Sequence, residues 1–450
     1  NGKAGTLLLD PDKVQLIGGA PPVVDPDGDG DDDNDDPNDF EGVGTYGELD
    51  FADAPGDGAE PFEIYETELE GANHNIVIQA RDTIEVIGTF GDSNGDGVGD
   101  ILLQDGVDLT LQTQNPTTPG GNDEGINLIA GASPVDIIAQ GSGKITIISA
   151  ADVQLSSLSS GTGDISVTAA EGNLDVRQIT TGGNVSLTAT TGSINDSDVA
   201  DAADRSDVNV TANTLTMVAA NGIGSLMNDF DTSVNTIEAH TTNAAHPVGE
   251  GNIVIDETDD ITVADVGPVN GSGLSTAGSD IVMNSGGTVT LTADVLAGAG
   301  PGPTAGDDVH IRAAGSILQP SSTVYVIGDD VALEAGTGIG TTGAIDLRAN
   351  SVGATSTTGD IVLNQDAGGP ATLTVDQANN LIAGAGTIDG VTATAGAVTI
   401  TTETAALDLN QDVTAGTSIR LQAAGNVTQT NSAEITAGDD VILQSGSTVL

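Results

Sequence analysis

The sequence predicts an all-β fold, a right-handed parallel β-helix (β-solenoid) with coils of about 20–22 residues and an acidic loop inserted near the N-terminus. Three observations point there. Short apolar/polar alternations recur at a steady beat; Gly, Asn or Asp corners separate them; and the apolar content is aliphatic, with 5 Phe, 3 Tyr and no Trp in 450 residues. One compact core normally stops growing before this length and relies on aromatic side chains to fill it. Val, Ile, Leu and Ala suit thin, regularly layered β structure instead.

Residues 1–24 open with Gly5-Thr6-Leu7-Leu8-Leu9-Asp10-Pro11 and Val14-Gln15-Leu16-Ile17, which read as first β-helix strands or a junction segment. Residues 25–61 are crowded with Asp, Gly and Pro and have too few apolar side chains to order themselves, so they read as a projecting insertion. Residues 62–450 form the repeat array, regular from about residue 72. Its clearest stretch is Gly163-Asp164-Ile165-Ser166-Val167-Thr168-Ala169, Gly172-Asn173-Leu174-Asp175-Val176, Gly183-Asn184-Val185-Ser186-Leu187-Thr188-Ala189 and Gly192-Ser193-Ile194. Ile165 and Val185 lie 20 apart, as do Leu174 and Ile194; Val309 and Val331 lie 22 apart, as do Ile419 and Val441. Period-2 alternation marks a strand with one buried face, and Gly/Asn/Asp corners supply the bends. One period is then one coil, whose strands hydrogen-bond to the coil below at a spacing of about 4.8 Å. The rhythm breaks most at residues 195–250 and 264–279, where loop excursions are expected. Apart from a short turn near Glu63–Leu69, no segment sustains a helical pattern, and a string of β-sandwiches would need aromatic anchors that are missing.

Against 67 Asp+Glu the chain carries 9 Lys+Arg, a formal charge of −58. Such an excess repels phosphate backbones and anionic lipid, which argues against nucleic-acid and membrane partners and favours divalent cations. No run approaches the roughly 18–20 apolar residues of a spanning helix. With no Cys, disulfide frameworks and Cys-type zinc sites are excluded. Because Asn1 stands in mid-pattern, the chain reads as part of a longer precursor.

The sharpest local signal is Asp25-Pro26-Asp27-Gly28-Asp29-Gly30-Asp31-Asp32-Asp33-Asn34-Asp35-Asp36. Calcium loops place oxygen ligands at positions 1, 3, 5 and 9, Gly at 6 and a carboxylate at 12; here Asp25, Asp27, Asp29, Asp33 and Asp36 match, with Gly30 at the bend. Position 12 is Asp rather than the longer Glu, and no helices flank the loop; a solvated acidic run without metal is the alternative. A second candidate, Asp92-Ser93-Asn94-Gly95-Asp96-Gly97-Val98-Gly99-Asp100, offers Asp92, Asn94, Asp96 and Asp100, but Leu103 stands where the last carboxylate belongs. This stretch also reads as a Gly-rich loop between two strands. Calcium is the cofactor both patterns imply.

Paired acids recur as Asp307-Asp308, Asp329-Asp330 and Asp439-Asp440, each just before a Val-led strand. Acid/base chemistry on sugars would also need a cation nearby, and those in the region, such as Arg312 and Arg348, are each isolated, so turn-forming Asp is the better reading. His74, His240, His246 and His310 lack ligand or triad spacing and read as surface loop residues. No nucleophile elbow, phosphate loop or dinucleotide fingerprint occurs.

The segment Asn1-Gly2-Lys3-Ala4-Gly5-Thr6-Leu7-Leu8-Leu9-Asp10-Pro11 with Val14-Gln15-Leu16-Ile17 resembles the junction segment of filamentous-haemagglutinin-type bacterial exoproteins. The run Glu68-Leu69-Glu70-Gly71-Ala72-Asn73-His74-Asn75-Ile76-Val77-Ile78-Gln79-Ala80-Arg81-Asp82-Thr83-Ile84-Glu85-Val86 is similar to the element that follows it there. The resemblance implies a secreted or surface-attached β-helical fibre with adhesive or structural duty; the acidic loop departs from the family pattern. The expected function is an extracellular structural or adhesive segment ordered or bridged by divalent cations, not an enzyme. Its expected partners are further coils of the same chain, other copies in a filament, or a surface glycan or protein. A carbohydrate-active β-helix enzyme and a calcium-dependent glycan or protein binding module are the competing expectations.

Overall fold

The computed structural model describes residues 13–20, 62–95, 97–114, 125–130, 133–197, 208–245, 250–267, 271–378, 381 and 387–447. The chain is almost all β, 54% strand with one short helix, Glu66–Gly71. Its strands pair in parallel between successive coils, and the sheets do not close into a barrel: the fold is a parallel β-helix. Two compact units are distinguished, residues 1–198 with 209–213 and residues 199–208 with 214–450.

In the first unit each regular coil has three strands. Ile145–Ser149, Asp152–Gln154 and Ser157–Ser160 are followed one coil later by Ile165–Ala169, Leu174–Val176 and Gln178–Thr181. Corresponding strands stack into three ladders, one of which runs Ile76–Ala80, Leu109–Thr113, Ile145–Ser149, Ile165–Ala169 and Asn184–Ala189. Alternation decides which residues turn inward. Ile78, Leu111, Ile147, Val167 and Leu187 share one rung position, and none is more than 1% exposed. The space enclosed by three short strands is too narrow for many aromatic rings, which accounts for the aliphatic composition.

The second unit repeats the device. Ile253, Ile281, Val309, Val331 and Val352 form one inward column; Val398, Ile419 and Val441 share another rung position farther along. The coil length expected from sequence holds where strands succeed one another directly: Ile147 to Val167 is 20 residues, and Val309 to Val331 is 22. Ile253 to Ile281 takes 28, Leu111 to Ile147 takes 36, and Ile361 to Val398 takes 37. In the longer coils the ladder register is kept and the surplus leaves at the corners. One surplus is visible as an antiparallel pair, Gln377–Ala378 with Ile388–Asp389, folded onto the outside of the coils. There Ala378 and Ile388 pack on Ala332, and Gly353 makes room, since a Cβ on it would lie 3.0 Å from both. Within 195–250, where loops are expected, the structure places the long strands Val210–Ala219 and Phe230–Thr241.

The corners explain part of the acid excess. Asp280 Oδ1 accepts the backbone N–H of Asp308 (3.0 Å), Asp308 Oδ1 accepts that of Asp330 (3.1 Å), and Asp330 Oδ1 accepts the Ser351 hydroxyl. Elsewhere Asp108 caps Lys144, Asp164 caps Asn184, Asp260 caps Thr288, Asp360 caps Ala397 and Asp412 caps Glu434, each through Oδ1. A short carboxylate at the corner of one coil reaches the amide that opens the next strand above it, the same match of acceptor to orphan donor that favours Asp at helix starts. Asp308 and Asp330, the second members of their acid pairs, serve these corners.

Candidate functional site

The first acidic loop, with Asp25, Asp27, Asp29, Asp33 and Asp36, lies outside the described residues, as does Asp96 of the second. The rest of the second loop joins Thr83–Ile87 to Gly99–Leu103. Gly95 and Gly97 adopt φ of +82° and +93°, which lets the chain curl back on itself. Into that curl Asp92 turns both oxygens, Oδ1 accepting from Gly95 N–H (2.6 Å) and Oδ2 from Gly97 N–H (2.9 Å). Asp100 closes it from the strand side, its Oδ2 accepting from Ser93 and Asn94 N–H, both at 3.0 Å. Asp92 and Asn94 are exposed at the rim, whereas Asp100 is fully buried and its Oδ1 meets no donor among the described residues.

More carboxylates converge beside it from the helix Glu66–Gly71. Glu66, 5% exposed, accepts from Gly19 N–H and Gly91 N–H, and Glu70 accepts from Leu102 N–H. Burial pushes the Glu70 carboxyl above its ordinary range; the Leu102 amide partly offsets this, and the charges of Glu66 and Asp100 add to the rise. Three carboxylates that accept from backbone amides make the site locally negative, and hard oxygen ligands of this type suit calcium. Asp92, Asn94 and Asp100 are the described residues that would hold it.

The second unit carries an arrangement that the sequence did not reveal. Along one outer column, successive rungs bring together Asp231, Asp256, Asn284, Arg312, Glu334, Thr355, Thr392, Thr414 and Thr436. At one end the carboxylates of Asp229, Asp231 and Asp256 approach within 4.8 Å of one another, close enough to share a metal ion, and Asn284 Nδ2 donates to Asp256 Oδ2 (2.7 Å). Beside Asp256, Glu257 is completely buried; it accepts from Thr232 Oγ1 (2.7 Å) and Val234 N–H (3.1 Å), and burial pushes its carboxyl up to about 8.

Farther along, Asn284, Arg312, Glu334 and Thr355 line a groove of about 410 Å³. The exposed Arg312 guanidinium has no hydrogen-bond or ion-pair partner among the described residues. Its rung neighbour Glu334 is turned aside to His310, whose Nε2 lies 3.0 Å from Oε1 and whose Nδ1 accepts the Leu381 N–H. His310 is thus buried, and so is His240 in the strand Phe230–Thr241; neither is the surface loop residue expected from sequence. His310 meets a chain segment from another coil through Leu381, and His240 meets its own strand's Glu238 and the next coil's Ser275, relations no local pattern encodes. Arg348 is paired with Asp366 (2.7 Å) and stacked on Tyr325, 3.8 Å from the ring centroid. Comparison with family models, with curated proteins and with solved structures returned no match.

Proposed function

We propose that this chain is a segment of an extracellular or cell-surface structural or adhesive fibre, in which acidic β-helical coils act as a stiff scaffold that divalent cations order. The observation that carries the reading is the register. Inward columns such as Ile78–Leu111–Ile147–Val167–Leu187 stay aligned while coil length changes, so backbone pairing and core continue across coils of unequal length. Such stacking distributes load over many inter-coil hydrogen bonds and suits a structural element. Further coils of the same chain or a second copy are the partners this reading implies.

The cation part of the proposal rests on Asp100. A buried charged oxygen without a donor costs about 1–3 kcal/mol or more, and calcium held with Asp92 and Asn94 would remove that cost. Melting the protein in calcium and in chelator tests it. Calcium should raise the transition of the wild type, and Asp100→Asn should abolish the calcium increment while leaving the chelated protein as stable or more so. Equal melting in calcium and chelator would overturn the cation reading. The adhesive variant is supported by the groove around Arg312, whose amide, guanidinium, carboxylate and hydroxyl groups follow one another at rung spacing, as sugar hydroxyls would require. Glycan-array binding lost in Arg312→Ala checks it; an array without binders, or binding that survives the substitution, counts against it.

A further inference from the structure

We infer that Ser275 is an activated nucleophile, and that Glu238, His240 and Ser275 form a relay able to transfer the acyl group of a small carboxylic ester. The inference goes beyond the scaffold reading and does not depend on it. His240 and Ser275 are rung neighbours in adjacent coils, both outward-facing, because Ala239 pairs with Leu274 on the inward side. His240 Nδ1 lies 2.6 Å from Ser275 Oγ, and His240 Nε2 lies 2.8 Å from Glu238 Oε1.

The third member is itself held. Glu238 Oε2 accepts the backbone N–H groups of Val266 (2.5 Å) and Gly267, and Gly267 permits this approach, since a Cβ there would stand 2.9 Å from Oε1. Glu238 and His240 are each 1% exposed, whereas Ser275 is partly exposed. Nucleophile, base and orienting acid within hydrogen-bond reach, with solvent access confined to the nucleophile, is the arrangement that activates a serine hydroxyl.

The relay works in one of the proton arrangements these distances allow. In that arrangement Glu238 Oε1 accepts from Nε2–H, which leaves the Nδ1 lone pair to accept from the Ser275 hydroxyl. When Ser275 Oγ bonds to an ester carbonyl carbon, its proton passes to His240 Nδ1, and Glu238 stabilises the resulting imidazolium. Collapse breaks the carbon–alkoxy bond, and the departing alcohol takes the proton from Nδ1. Water then attacks the acyl-serine, yields its proton to Nδ1 and releases the carboxylic acid as Ser275 Oγ recovers that proton. The next rung beyond Ser275 is the partly exposed Leu296, an apolar neighbour of the nucleophile that suits a short hydrocarbon acyl group.

The test uses the full chain, a fluorophosphonate probe and peptide mass spectrometry. The folded wild type should be modified at Ser275, the modification should vanish in Ser275→Ala, and His240→Ala should slow it by about 10²–10⁴-fold. His240→Gln, which keeps a side chain able to hydrogen-bond, should remove the pH dependence of labelling while thermal melting stays cooperative. A network that only pins residues 266 and 267 to the coil would leave Ser275 unlabelled. That result, or labelling at the same rate in the His240 variants, overturns the proposal.

Discussion

Glu257 makes the stability of the second unit depend on pH in a direction opposite to ordinary acid denaturation. Its carboxyl is fully buried, and burial raises it from the ordinary 4.5 to about 8 in the folded protein. Below the unfolded value both states hold the proton and the group costs nothing. Between the two values the folded protein keeps a proton that the unfolded chain has lost, so stability falls as pH rises, by about 1.4 kcal/mol per pH unit. Above the folded value both states are ionised and the loss is complete, at about 5 kcal/mol as an upper figure. Glu257→Gln removes the titration and keeps an oxygen for one of the donors. The assay is urea unfolding of wild type and variant from about pH 5 to about pH 8, read as the difference between the two stability curves, which cancels the other carboxyls. The difference should move in favour of the variant by one proton's slope across this window. A flat difference would show that Glu257 titrates alike in both states and would refute the reasoning. Burial raises Asp175, Asp280, Asp294 and Asp346 as well, so the wild type alone should be most stable on the acid side of neutrality.

Other outcomes follow from packing and corner geometry. Ile147→Ala, in the middle of an inward column, should cost about 2–5 kcal/mol in urea unfolding, because a cavity between fixed rungs collapses poorly. Gly359→Ala places a Cβ 1.7 Å from the Thr337 carbonyl oxygen of the preceding coil and should destabilise by about 1–3 kcal/mol or more, although the residue sits at the surface. Asp308→Ala strands the Asp330 amide and should lower stability by about 1–3 kcal/mol, while Asp308→Asn, which retains an Oδ1 acceptor, should change it little; the pair measured together separates hydrogen bonding from charge.

What the sequence disclosed and what it hid divide along a physical line. Ile165, Val167, Val185 and Leu187 announce their inward faces because strand alternation is local, and the 20-residue spacing announces the coil because each period repeats the same local rule. The corner role of Asp308 and Asp330 was legible for the same reason. The bend of the second acidic loop was legible too, since Gly97 adopts the positive φ that its position requires. By contrast, Asp231, Asp256 and Arg312 share an outer column only because their coils have particular lengths. A residue at the end of a long coil can stand beside any of several predecessors until the register is known. Ser275 lies 35 residues from its partner His240, a distance set by the length of this one coil, strands Ile253–Glu257 and Ile261–Val263 included, and not by the 20–22-residue repeat.

The folded-back pair Gln377–Ala378 and Ile388–Asp389 shows how such a chain acquires appendages. The next rung, Ile361 with Val398, keeps its register, and the pair's neighbours accommodate it with a glycine at 353, an alanine at 332 and the His310 Nδ1 that accepts the Leu381 N–H. Fittings of this kind are separable from the rail that bears them. An unrelated peptide grafted at the same exit point should leave the pairing of Ile361 with Val398 untouched, so new surfaces can be gained or exchanged without renegotiating the interior.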